Sequence, residues 1–165
     1  MTTLRIYNEQ QPDQPDVVTE STAEIQRLLG EQGVRFEQWP TRDLPADATQ
    51  DDILDAYADE VAKLKAECGF QTADVVSLTA DNPNKDAARK KFLDEHTHSE
   101  DEVRFFVRGQ GLFYLHFGDK VYAVLCQKND LISVPDGTRH WFDMGPAPEF
   151  TCIRLFSNPD GFFFF

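Results

Sequence analysis

Four positions in this chain carry side chains that could hold one metal ion between them: His96, His98, Glu102 and His140. The chain has only four histidines, and two of them stand at i and i+2 in His96-Thr97-His98. In an extended segment residues i and i+2 project to the same face, so these imidazoles can converge on one ion. Glu102 lies six residues past His96, roughly 20 Å away if the backbone ran straight. The polar stretch Ser99-Glu100-Asp101 must therefore bend the chain back if the carboxylate is to join them. His140 comes from elsewhere, delivered onto the start of a strand by the turn sequence Pro135-Asp136-Gly137. Imidazole suits iron, nickel, copper and zinc, whereas a carboxylate favours harder, octahedral ions; structural zinc usually closes at four ligands. Around a six-coordinate ion, three imidazoles and one carboxylate leave two positions open for a bidentate oxygen chelate. A divalent ion with a single carboxylate keeps a net positive charge, which attracts an anion. The ordinary alternative is that these histidines and the glutamate are solvated or hydrogen-bonded residues without a metal.

Short strands and turns must position these residues. Residues 102–108 read as a strand that ends at Gly109-Gln110-Gly111; 112–117, Gly118-Asp119 and 121–125 read as a hairpin. Residues 131–134, 140–142 and 150–156 supply further strands. The first half is mixed α/β. Ser21-Thr22-Ala23-Glu24 has the form of a capping box and opens a helix with Ile25, Leu28 and Leu29 on its apolar side, stopped by Gly30 and Gly33. A strand over 34–39 follows. One long helix is predicted over 51–68, with Ile53, Leu54, Tyr57, Val61 and Leu64 on one face and Gly69 at its end. A short strand over 75–78 and a third helix over 85–93 complete this half.

The expected fold is mainly β, a compact barrel or sandwich with an N-terminal α/β flank, in one domain spanning 1–165. Residues 1–94 include the flank, 95–156 carry the candidate ligands, and 157–165 form a tail. Its four terminal aromatics, Phe162-Phe163-Phe164-Phe165, would be costly to leave in water and are expected to dock on the body.

Charge removes several function classes. Acids outnumber bases 29 to 16, a formal net charge of -13, which repels phosphate backbones and anionic lipid. Nucleic acid and membrane surfaces are therefore not expected as partners. Cys68, Cys126 and Cys152 are widely spaced and odd in number, so neither a disulfide framework nor a thiolate zinc site is expected. No apolar run has the length of a membrane span, and the start lacks a signal-peptide core. The expectation is a cytoplasmic protein, working as a monomer.

With these residues in view, a family resemblance emerges. His96-Thr97-His98-Ser99-Glu100-Asp101-Glu102, followed by Gly109, is similar to the first cupin motif, H-x-H-x3-E-x6-G. Pro135-Asp136-Gly137-Thr138-Arg139-His140 is similar to the P-x-G-x2-H core of the second. The chain departs from the cupin pattern at Lys90 and Asn129, where glycine is common, and at Met144, where asparagine is expected. Three longer phrases, 92–98, 101–105 and 134–142, resemble the acireductone dioxygenase family, and the likeness extends over most of the chain.

The resemblance implies a cupin-type double-stranded β-helix barrel with His96, His98, Glu102 and His140 as the metal ligands. It implies one Fe(II) or Ni(II) per chain and, as substrates, O2 and the acireductone 1,2-dihydroxy-5-(methylthio)pent-1-en-3-one of methionine salvage. The iron form of such an enzyme gives formate and 4-methylthio-2-oxobutanoate; the nickel form gives 3-methylthiopropanoate, formate and CO.

Such chemistry needs a cation beside the ionised enediolate. Arg104 is the candidate, because it lies two residues past Glu102 and an extended strand turns both to one face. A guanidinium turned inward is costly unless it meets an anion; the alternative is a solvent-facing arginine paired with a surface acid. Arg154 is a second choice, able to point inward with Cys152 and Phe156 or outward. Phe92, Trp141 and Phe142 are candidates for lining a pocket around the thioether tail, or are simply core. Glu95 and Glu100 are possible bases or plain surface acids, and His116 is expected to be structural. Competing functions are another cupin oxygenase or isomerase with the same ligands, or a non-catalytic cupin that binds a metal or small molecule.

Overall fold

The computed structural model describes residues 2–40, 42, 44–45, 47–93, 102–135, 137–145 and 147–156, and of Glu102 the backbone alone. The elements are β1 (Thr3–Asn8), β2 (Pro15–Thr19), α1 (Thr22–Glu31), β3 (Arg35–Gln38), α2 (Gln50–Ala56), α3 (Ala58–Cys68) and β4 (Thr72–Leu78). After them come α4 (Lys85–Leu93), β5 (Glu102–Phe117), β6 (Lys120–Gln127), β7 (Asp130–Val134), β8 (Arg139–Asp143) and β9 (Glu149–Phe156). The protein is mainly β, as its sequence predicts.

The helices form where their caps and apolar stripes coincide. The Ser21 hydroxyl accepts from the Glu24 N–H, and Ile25 and Leu29 of α1 are buried in the main core. Thr49 and Asp52 make a reciprocal capping box at the start of α2. The single helix expected over 51–68 is in fact two, broken at Tyr57 (φ -110, ψ 21). Tyr57 is fully buried, packs edge-on against Phe105 at 5.1 Å, and its hydroxyl accepts the Arg42 N–H. Ile53, Tyr57, Val61 and Leu64 still cover one patch on both sides of the break, which is why their periodicity reads as unbroken. Gly69, at φ 76, ends α3 in the left-handed conformation.

All nine described strands join in one antiparallel sheet that wraps around β5. The N-terminal part of β5 pairs with β7 on one side and β9 on the other; its C-terminal part pairs with β6 and β8. The predicted strand end at Gly109-Gln110-Gly111 does not occur, because β5 runs unbroken for 16 residues. The glycines serve close approach and not a turn. Gly109 sits at φ +77, and a Cβ there would lie 1.9 Å from the Glu149 carbonyl oxygen. A Cβ on Gly111 would lie 2.1 Å from the Phe142 ring.

A bulge accompanies this crossing. Phe106 is opposite Cys152 and Arg108 is opposite Thr151, so Val107 is the extra residue. One extra residue reverses the in–out alternation of everything after it. Before the bulge the even-numbered Phe106 enters the main core; after it the odd-numbered Phe113 and Leu115 do. The opposite face before the bulge, Val103, Phe105 and Val107, is covered by α2 and α3.

The β6–β7 connection explains one departure from the cupin pattern. Asn129 is at φ 89, a conformation asparagine tolerates better than most residues, in place of the usual glycine. Next to it the wholly buried Asp130 carboxylate accepts from Thr2 Oγ1 at 2.6 Å, Gln38 Nε2 at 3.0 Å and the Gln127 N–H at 2.9 Å. Those three bonds tie the start of the chain, β3 and the end of β6 together and compensate the burial of the charge. The β1–β2 hairpin was not expected from the sequence. Its buried positions are few, and β2 is a short edge strand that begins with a proline.

Gly109→Ala should lose on the order of 3 kcal/mol or more in urea unfolding, since a left-handed φ and a backbone clash act together. A wild-type midpoint in that variant would contradict the crossing described for β5.

Candidate functional site

Strand β8 presents His140 and Phe142 to the barrel interior and Trp141 to the outside. His140 pairs with Leu115 and Phe142 with Phe113, both core residues, while Trp141 pairs with Tyr114 and stacks on it at 5.0 Å. Trp141 therefore lines no interior pocket. His140 is 2 % exposed, and its Nδ1 lies 2.8 Å from the Thr138 carbonyl oxygen. A carbonyl can only accept, so Nδ1 carries the proton, and in the neutral ring the lone pair is then on Nε2. That is the tautomer a metal-ligating histidine needs, and the bond fixes the plane of the ring.

Arg104 is buried, at 4 % exposure, and not on the solvent face. Its guanidinium carbon lies 5.8 Å from the Phe92 ring centroid and 5.8 Å from that of Phe142, so the cation sits between an α4 aromatic and a β8 aromatic. Phe142 also packs against Phe113 at 4.7 Å and Phe150 at 5.5 Å, a wall of rings on the same interior. Arg154 points inward too. It is directly opposite Arg104 across the β5–β9 pairing and forms a two-pronged ion pair with Asp74 of β4. Nothing in the spacing of the sequence marks Asp74; its one signal is its place in the alternation of β4, in step with Val76 and Leu78.

The sequence-predicted ligands fall partly outside the description. His96 and His98, and the candidate bases Glu95 and Glu100, lie outside the described residues, as does the tail 157–165. Among the described residues no three His, Cys, Asp or Glu side chains gather as a metal site, and His140 is the single predicted ligand whose side chain is described. The backbone does place the flanks. Helix α4 ends at Leu93 beside β8, through Phe92 against Phe142 and Arg89 bonded to Asp143. Strand β5 resumes at Glu102, opposite Val134, which leads directly into the His140 turn. Leu93 and Glu102, the described residues on either side of 94–101, thus lie beside the elements that flank and carry His140.

Comparison with known proteins decides the family. The chain matches the model of the ARD/ARD' family over residues 3–163. It belongs to that family. Proteins named acireductone dioxygenase resemble it closely: that of Marinobacter nauticus is 74% identical over 161 residues, covering 98% of this chain and 87% of the relative. That of Hahella chejuensis is 71% identical over 161 residues, with the same coverage. Among solved structures, an acireductone dioxygenase from Bacillus anthracis with a cadmium ion in its active centre superposes with a TM-score of 0.83 at 31% identity. That match covers 98% of this chain and 95% of the other. The cupin-type fold expected from the two cupin motifs is the fold observed.

His116, expected to be structural, bonds to Glu9 at 2.9 Å on the outer side of the sheet. The Arg89–Asp143 bond, which no motif announced, clamps α4, and with it Phe92, onto β8. Burial would push the Asp143 carboxyl up, but the Arg89 hydrogen bond, the Gly145 N–H and the arginine's charge hold it below the ordinary carboxylate value. A carboxyl lowered in the folded state contributes stability that is present above its unfolded pKa and is lost as pH falls through the folded value. Asp143→Asn should therefore unfold up to about 1 kcal/mol more easily at neutral pH, discounted because the pair is partly exposed. The gap to wild type should close on acidification below the carboxylate range. A gap of constant size in urea titrations across that range would contradict the assignment.

Proposed function

We infer that this chain is a metal-dependent acireductone dioxygenase that cleaves 1,2-dihydroxy-5-(methylthio)pent-1-en-3-one with O2 in methionine salvage. The observation that carries this reading is the match of nearly the whole chain, at 74% and 71% identity, to two proteins of that name. His96, His98, Glu102 and His140 hold one Fe(II) or Ni(II). Supporting this are the buried His140 with its Nδ1 proton engaged by the Thr138 carbonyl, and the placement of Phe92 and of the Glu102 backbone beside the elements that flank and carry His140. A divalent ion held by these four residues would supply Lewis acidity, which lowers the pKa of a bound hydroxyl.

The remaining work falls to this chain's own side chains. Arg104, buried between two rings, supplies the positive charge that favours the ionised enediolate over its protonated form. Low local polarity around Phe92, Phe113, Phe142 and Phe150 strengthens that attraction and keeps competing water from the ionised oxygen. Phe92 and Phe142 therefore shape the apolar side of the substrate site. The iron-loaded chain yields formate and 4-methylthio-2-oxobutanoate; the nickel-loaded chain yields 3-methylthiopropanoate, formate and CO. Residues 1–165 work as one cupin-type domain in the cytoplasm, and a monomer suffices for the site, since the candidate ligands and Arg104 all come from a single chain. The acidic balance of 29 to 16 supports no nucleic-acid role, and no described helix is long and apolar enough to cross a membrane.

Aerobic loss of a synthetic acireductone's ultraviolet absorbance, followed with iron-loaded and with nickel-loaded protein, tests the reading. Both should consume it, with carbon monoxide evolved by the nickel form alone. Absence of consumption by either form would overturn the activity. Arg104→Ala should retain close to one metal per chain while turning over about a hundredfold more slowly, and His140→Ala should lose the metal. An Arg104 variant with wild-type turnover, or a His140 variant with full metal content, would remove that residue from its role.

A further inference from the structure

One rung of the sheet carries three charged residues facing the barrel interior. Asp74 is opposite Arg154, Arg154 is opposite Arg104, and Arg104 is opposite Ile132, across β4, β9, β5 and β7. The alternation along each strand fixes the face. Asp74 is in step with Val76 and Leu78, Arg154 with Cys152 and Phe150, and Arg104 with Phe106, all of which pack in the main core. Like charges carried by residues directly opposite each other in an antiparallel pair repel.

Asp74 answers that repulsion by direction as well as by charge. Arg154 Nε donates to Asp74 Oδ1 at 2.8 Å and Nη2 donates to Oδ2 at 2.5 Å, the planar fork-to-fork geometry that fixes a guanidinium most firmly. Because β9 lies between β4 and β5, an Arg154 that leans on Asp74 leans away from Arg104. Its guanidinium carbon is also 5.2 Å from the Phe156 ring centroid. The pair is screened from solvent mainly on the arginine side, whose side chain is 7% exposed against 32% for Asp74.

We propose that Asp74 is a positioning residue for the reaction: it draws Arg154 toward β4 and so reserves the ionised substrate oxygen for Arg104. This rests on the acireductone reading given above. A substrate with two adjacent oxygens offers a second guanidinium an equally attractive grip. Arg154 released from Asp74 would take that grip and hold the substrate in a pose that does not match Arg104. Binding that is stronger in the ground state without matching gain in the transition state leaves affinity intact and lowers turnover.

The test compares metal-loaded wild type with Asp74→Asn, Asp74→Glu and the double variant Asp74→Asn with Arg154→Gln, at matched metal content. Acireductone binding is measured without oxygen from the substrate's absorbance, and turnover is measured in air. Asp74→Asn should bind acireductone as tightly as wild type or more tightly, yet turn over about tenfold more slowly. Removing the released arginine in the double variant should recover most of that loss, and Asp74→Glu should stay within about threefold of wild type. A purely structural Asp74 would leave the double variant no faster than Asp74→Asn. That result, or full turnover by Asp74→Asn, would overturn the proposal. Should Asp74→Asn fail to fold, a double variant or a glutamate variant that folds but stays at least tenfold slow overturns it equally. Failure of wild type to consume acireductone would instead bring down the substrate reading, and this role with it.

Discussion

A single strand that must serve both halves of the barrel constrains everything else in this protein. β5 is shared by four partner strands, and side chains on a strand alternate between faces with a strict period of two. Without correction, a strand that turns Arg104 and Phe106 inward would turn Phe113 and Leu115 outward. The extra residue Val107 reverses the alternation, and Gly109, with no Cβ to meet the Glu149 carbonyl, lets β9 pass at close range. The same interior therefore receives Arg104 from one half of β5. Through the pairing of Leu115 and Phe113 with His140 and Phe142, it receives the candidate ligand and its neighbouring ring from the other half.

Electrostatics follows from that geometry. A guanidinium carried into an aromatic interior is tolerated through ring faces and oppositely charged groups, and it raises the affinity of the space around it for anions. The rung from Asp74 through Arg154 to Arg104 holds two positive charges and one negative among the described side chains. An interior that carries two guanidinium groups suits an ionised small substrate. It also suits a protein whose outer surface is acidic, since the favourable potential is confined to the site.

Much of this was legible in the sequence, for reasons that can be named residue by residue. The capping residue Ser21, the apolar stripes of α1 and of α2 with α3, and the turns after Phe117 and Val134 are local signals, and local signals survive into the fold. Inward Arg104 was legible because it shares the parity of Glu102. The continuity of β5 was not legible, because Gly109-Gln110-Gly111 has the composition of a turn. Only the tertiary neighbours Glu149 and Phe142 reveal that close approach, not chain reversal, is the reason for glycine. The break at Tyr57 was hidden by a periodicity that continues across it. Asp74 and the Arg89–Asp143 clamp depend on partners 80 and 54 residues away, a relation that no spacing rule detects. Trp141 was offered as a pocket residue on proximity alone, and its odd step relative to His140 and Phe142 was the signal against it.

The central claim is that three imidazoles and one carboxylate from this chain share one divalent ion. Metal-edge X-ray absorption on the iron- or nickel-loaded protein measures that first shell directly. The account predicts nitrogen and oxygen neighbours only, with the outer-shell scattering of three imidazoles in wild type and less of it when His140 is replaced by a residue that cannot ligate. A shell containing sulfur, or imidazole scattering that does not change on loss of His140, would contradict it.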